Sequence, residues 1–137
     1  MVLARGLAST ALLLWTAVAT AEEPHYALDT TRSSAELTVG EKGVLSIVIK
    51  PAPGRKVHDQ APLSISLKAP KGLTLAKAKL GQADVVNKGQ AAPEFSVEIT
   101  ATAAGPQATE ADLQFFICTE KWCERQQQRI TVSTVVK

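Results

Sequence analysis

A chain of 137 residues with 15 Lys and Arg against 13 Asp and Glu, formally +2, carries both signs scattered along its length. That balance gives no electrostatic reason for a nucleic acid or an anionic membrane surface as partner. Two cysteines and two distant histidines, His25 and His58, lack metal-ligand spacing, and the only methionine is Met1, so zinc and thioether-bound copper are both disfavoured.

The first 21 residues read as an address. Arg5 supplies a positive start, residues 7–19 an apolar run containing Leu12-Leu13-Leu14-Trp15, and Ala19-Thr20-Ala21 the small-x-small cleavage site of a secretory signal peptide. The run is shorter than the roughly 20 apolar residues a spanning helix needs. No cysteine follows the cleavage site, so no lipid is expected there. Residues 22–137 then form one domain of ordinary size, expected in the periplasm or secreted, with no stable membrane insertion. Loss of Arg5 with the leader lowers the formal charge from +2 to +1. In an oxidising compartment two cysteines are expected to pair.

Through the rest of the chain, apolar residues alternate with polar ones, the period of a half-buried strand. Residues 35–39 and 44–50 are aliphatic and β-branched runs that suit a pleated surface. The turn Gly40-Glu41-Lys42-Gly43 joins them, and Pro51-Ala52-Pro53-Gly54 stops the second. His58 and Asp59 have no serine or cysteine partner and read as loop residues. Leu63, Ile65 and Leu67 alternate with Ser64, Ser66 and Lys68, ending at the turn Ala69-Pro70-Lys71-Gly72. A weaker strand covers residues 73–80, with Lys77 and Lys79 on its solvated side. Residues 81–93 form the longest irregular stretch. Phe95, Val97 and Ile99 alternate with Ser96, Glu98 and Thr100, and Gly105-Pro106 closes a further strand. Leu113, Phe115 and Ile117 alternate with Gln114, Phe116 and Cys118; Ile130, Val132 and Thr134 alternate with Thr131 and Ser133. About seven short strands and no persistent helical stripe predict an all-β fold, a two-sheet sandwich of immunoglobulin type.

The segment Cys118-Thr119-Glu120-Lys121-Trp122-Cys123 carries the chemistry. On a helix, residues five apart point about 140° away from each other. Across a hairpin turn, their Cα atoms can approach to the roughly 4.4–6.8 Å that a disulfide spans. If Leu113, Phe115 and Ile117 face the core, then Phe116 and Cys118 face outward, which places the disulfide near the surface with Phe116 and Trp122 beside it. Closing so short a loop stabilises by only about 2 kcal/mol, against roughly 5–15 kcal/mol for a whole domain. Two readings follow. The pair exchanges with other thiols, or it is an inert brace in a non-enzymatic binding module. Trp122 and Phe116 serve either as partner contacts or as packing over the disulfide.

Two stretches resemble the N-terminal periplasmic domain of the DsbD thiol:disulfide interchange family. One is Pro62-Leu63-Ser64-Ile65-Ser66-Leu67-Lys68-Ala69-Pro70-Lys71-Gly72-Leu73, a strand running into an apolar-x-Pro-x-Gly-Leu turn. The other is residues 113–136, a strand, a Cys-x4-Cys hairpin and a return strand. The similarity spans residues 35–136. It implies an immunoglobulin-like fold and a relay in which Cys118 and Cys123 take reducing equivalents from a membrane thiol reductase. They would pass them to periplasmic thioredoxin-like proteins, with no organic cofactor or metal. It also implies a cap loop over the cysteines, which falls on Gln82-Ala83-Asp84-Val85-Val86-Asn87. The family's cap aromatic has no counterpart there, so Val85 or Val86 would shield the pair; Asp84 reads as an ordinary solvated loop carboxylate or, if this loop is the cap, as a proton acceptor for the thiols. Where family members carry a proline soon after the second cysteine, this chain has Glu124-Arg125-Gln126. The family's membrane and thioredoxin-like domains have no match in this sequence, and a stand-alone version is expected either to obtain electrons from separate proteins or to serve as a binding module.

Overall fold

The computed structural model describes residues 24–137, and the leader expected at residues 1–21 lies outside them. Ten strands occur among the described residues rather than about seven. They are β1 Tyr26–Asp29, β2 Glu36–Leu37, β3 Lys42–Pro51, β4 Lys56–Val57, β5 Ser64–Lys68, β6 Leu73–Leu75, β7 Lys79–Leu80, β8 Glu94–Ala101, β9 Gly105–Cys118 and β10 Cys123–Val136. One short 3-10 turn covers Gln82–Asp84. No helix among these residues is long and apolar enough to cross a membrane.

The strands form two sheets packed as an immunoglobulin-like sandwich. One sheet has the order β1-β3-β8-β6, and the other β2-β10-β9-β5-β7, with β4 also pairing with β9. Alternation explains the layering. Leu45, Ile47 and Ile49 of β3 and Phe95, Val97 and Ile99 of β8 point inward from the first sheet. Ile65 and Leu67 of β5, Leu113, Phe115 and Ile117 of β9, and Val132 and Val136 of β10 meet them from the second. Strand β3 is buried on both faces from Leu45 to Ile49. The segment before β2 covers its outer side, where Ser46 N donates to Ser33 Oγ at 2.9 Å and Ser33 Oγ donates to Ser46 O at 3.0 Å.

Three departures from the expected strands have local causes. The stretch at 73–80 is two strands in different sheets: β6 pairs with β8, β7 pairs with β5, and the chain crosses the sandwich between them. Gly105 opens β9 rather than closing a strand. Its φ of +118°, a region glycine alone enters freely, redirects the chain there. Finally, β9 and β10 are 14 residues each, far longer than their apolar alternation. The inward positions of early β9 hold Thr109 and Ala111, which are buried but too small and polar to read as a strand face.

The β9–β10 hairpin contributes one wall of the core, so its central aromatic should dominate stability. Phe115→Ala is expected to lose about 3–5 kcal/mol by urea unfolding. Thr131→Ala, on an exposed position of the same hairpin, should change it by less than about 0.5 kcal/mol. Equal effects would contradict this placement of the two residues.

Candidate thiol–disulfide site

Strand pairing alone brings the cysteines together. The β9–β10 register sets Cys118 directly opposite Cys123, and the residues between them form a compact turn. Thr119 N donates to Trp122 O at 2.8 Å. The Thr119 hydroxyl oxygen accepts from Lys121 N and Trp122 N, each at 3.2 Å. A side chain of this type satisfies turn amides that have no strand partner. The sulfurs are bonded, with the two Cα atoms 4.0 Å apart.

The two sulfur-bearing residues differ sharply in exposure. Cys118 is 2% exposed, whereas Cys123 is exposed. Neighbouring strands account for the difference. Cys118 lies between β10 on one side and β4 on the other, where Lys56 is its register partner and His58 N donates to Phe116 O at 3.0 Å. Among the described residues, Cys123 has a strand neighbour, β9, on one side only. Sequence alternation alone sets Cys118 on the outward face and cannot show that β4 flanks it, since Lys56–Val57 is a two-residue strand without any pattern.

A cleft of about 480 Å³ adjoins Cys118, lined also by Gly54, Arg55, Lys56, Thr119 and Glu120. Arg55, Lys56 and Glu120 thus line the same cleft as the buried cysteine. Along the same outward face, Phe116 stands opposite Arg125, whose Nη2 donates to Gln114 Oε1 at 2.6 Å.

The opposite side of the hairpin tip is braced by the first described residues, which the sequence reading left unassigned. His25 packs edge-on against Trp122 with ring centroids 5.2 Å apart, and its Nε2 lies 3.7 Å from Glu124 Oε2. Tyr26 packs edge-on against Phe115 at 4.8 Å and donates its hydroxyl to Gln128 Oε1 at 2.7 Å. Burial of the ring raises the Tyr26 pKa. An adjacent His-Tyr pair in a chain with only 4% aromatic residues was the available signal.

Phe116, Trp122 and the disulfide therefore cluster on one hairpin, while Asp84, Val85 and Val86 stand on a separate loop. Val85 bridges to Phe95 and packs against the core, and Val86 is 58% exposed. Asp84 gives one carboxylate oxygen to Lys77 Nζ and the other to Gly81 N at 2.8 Å. These bonds, that from Lys77 first, hold its carboxyl below the usual aspartate range. The loop joins the hairpin through the segment around β4, since Gln82 Nε2 donates to His58 O at 2.8 Å and to Ala61 O at 2.9 Å. His58 is a loop anchor, its Nδ1 accepting from Gln60 N and Ala61 N.

No protein-family model matches the chain, and no curated protein matches it. Solved structures of similar outline include domains 4 and 5 of the S-layer protein SbsC, at 17% identity and a TM-score of 0.44 over 81% of this chain. The chain spans half the length of that structure. Another is a conjugate transposon protein from Bacteroides vulgatus, at 13% identity and a TM-score of 0.47, covering 88% of this chain and 92% of that one. A third is murine CRIg, at 10% identity and a TM-score of 0.43, covering 83% and 99%.

The lowered Asp84 carboxyl has a consequence for acid stability. A depressed folded-state pKa stabilises above the unfolded value of about 3.9 and loses that contribution as pH falls through the lowered value. Asp84→Asn removes the titrating group. Its urea midpoint should therefore fall less steeply than that of the parent below about pH 4; parallel curves would contradict the linkage.

Proposed function

We propose that the chain is an exported thiol–disulfide exchange domain that works through Cys118 and Cys123. The observation that supports this reading is the asymmetric disulfide, with Cys123 exposed and Cys118 buried beside a cleft lined by Arg55, Lys56 and Glu120. A brace would need neither feature, and strand pairing has already closed the loop the bond would stabilise. The resemblance to the DsbD amino-terminal domain supports the same reading and suggests a periplasmic setting. A membrane thiol reductase would then be the electron source and thioredoxin-like proteins the acceptors.

On this reading the difference in exposure gives the two sulfurs different parts. To reduce the domain, a partner thiolate attacks Cys123 Sγ, forming a mixed disulfide as the Cys118–Cys123 bond breaks. Cys118 leaves as a thiolate in the cleft holding Arg55 and Lys56. A second partner thiol then attacks the partner's own sulfur in the mixed disulfide and releases Cys123. Two electrons pass, one disulfide is lost in the domain and one is gained in the partner. Delivery to an oxidised acceptor runs the same steps backward.

The test is a pair of single-cysteine variants offered an oxidised thioredoxin-like protein. Cys118→Ala should accumulate a covalent mixed disulfide through Cys123, and Cys123→Ala should accumulate little. Failure of both to trap an adduct, or trapping through Cys118 alone, would overturn the assignment. Should Cys118→Ala fold poorly, timed alkylation of the reduced parent serves instead, with Cys123 expected to label before Cys118.

A further inference from the structure

Strand β10 is paired along its whole length on one side and almost nowhere on the other. Its register with β9 runs without interruption from Cys123↔Cys118 to Val136↔Gly105. Among the described residues, β2 meets its other side only at Val135 and Val136. Antiparallel alternation tells which backbone groups this leaves open. Thr119 N donates to Trp122 O, so that pair is hydrogen-bonded and the next pair, Cys118 and Cys123, is not. Counting onward, the odd-numbered residues of β10 turn their N–H and C=O groups away from β9. Val135 and Lys137 agree, because their N–H groups donate to Ala35 O and Leu37 O on the far side. Cys123, Arg125, Gln127, Arg129, Thr131 and Ser133 therefore present a row of open donors and acceptors. Residues 123–133 include no proline and no bulge breaks the register, so the edge is blunted only by the charges of Glu124, Arg125 and Arg129.

Cys123 belongs to this row. An antiparallel strand added at the edge would place a residue directly opposite it, about 5.5 Å away between Cα atoms. That separation is one a disulfide spans, and the side chain would lie on the same face as Cys123. A cysteine there approaches Cys123 Sγ from the side opposite Cys118. Three sulfurs on three adjacent strands then stand in a row, as displacement at the central sulfur requires. Two residues on, exposed Arg125 shares the outward face with Cys123, and Lys121 lies two residues before. A carboxylate two positions from the incoming cysteine, opposite Arg125, would meet that cation, while Lys121 lies in the turn outside β10.

We propose that the exchange partner docks an extended, acidic, cysteine-bearing segment on the open edge of β10 as an added antiparallel strand, with its cysteine opposite Cys123. The inference rests on the exchange reading above. In the step, the segment's thiol loses its proton to solvent and attacks Cys123 Sγ; the new S–S bond forms as the old one breaks, and Cys118 departs as the thiolate. The incoming thiol is itself the reductant.

The test uses the oxidised, unmutated chain and short reduced peptides, each with one central cysteine, glutamates two residues to either side and β-branched residues elsewhere. The rate of mixed-disulfide formation at Cys123 is followed by quenched mass spectrometry, with glutathione as a reference thiol. In an added antiparallel strand, amides in phase with the cysteine face β10 and those one residue out of phase face solvent. N-methylation of in-phase residues should slow the reaction at least about tenfold, equivalent to about 1.4 kcal/mol. Out-of-phase methylation should change it by less than about twofold, since no edge hydrogen bond is lost. Equal rates for both methylated peptides, or adducts formed at Cys118, would overturn edge docking while leaving exchange intact. A disulfide opened by neither the peptides nor glutathione would overturn the docking and the exchange reading together.

Discussion

The register of the β9–β10 hairpin is the constraint on which the rest depends. Its 14 pairs place Leu113, Phe115 and Ile117 in the core and, by the same count, set Cys118 opposite Cys123. A slip of one residue would turn the whole apolar set outward, so the core holds the cysteines in place. The brace from His25 and Tyr26 acts in the same direction, tying the edge of the first sheet to the tip and middle of the hairpin. The disulfide is a consequence of this pairing and adds little to it.

Position within the sheet then differentiates two chemically identical residues. Cys118 is flanked by strands on both sides, and Cys123 by one. The first is sheltered beside Arg55, Lys56 and Glu120; the second stands at the boundary of an unpaired edge. A leaving thiolate is best placed where cations and restricted access protect it, and the attacked sulfur where another chain can approach. Under the exchange proposal both conditions come from the sheet order. The Asp84 carboxylate is taken up by Lys77 and Gly81 N.

Much of this was legible before any coordinates. Alternation at residues 63–68, 95–100 and 113–118 identified β5, β8 and the last half of β9, and with them most of the core. The disulfide followed from the expectation of export and from the hairpin reading of its flanks. What was hidden is what alternation does not encode. Two-residue strands such as β4 have no period, yet β4 is what buries Cys118. The run at 73–80 looks like one strand because its apolar residues continue across the switch from β6 to β7. Glu124-Arg125-Gln126-Gln127-Gln128-Arg129 is polar on both faces and carries no alternation of its own, and its place in β10 comes from its pairing with β9. The packing of His25 on Trp122 joins residues 97 positions apart, a proximity that only the folded topology supplies.

The central claim is that the Cys118–Cys123 bond is poised for exchange and is not a fixed brace. Its reduction potential, measured by equilibrating the folded chain in glutathione buffers and quantifying free thiols, tests this most directly. The account predicts a value near roughly −200 mV, within the range of exchanging disulfides. A value below about −300 mV, typical of structural disulfides in secreted proteins, would contradict it.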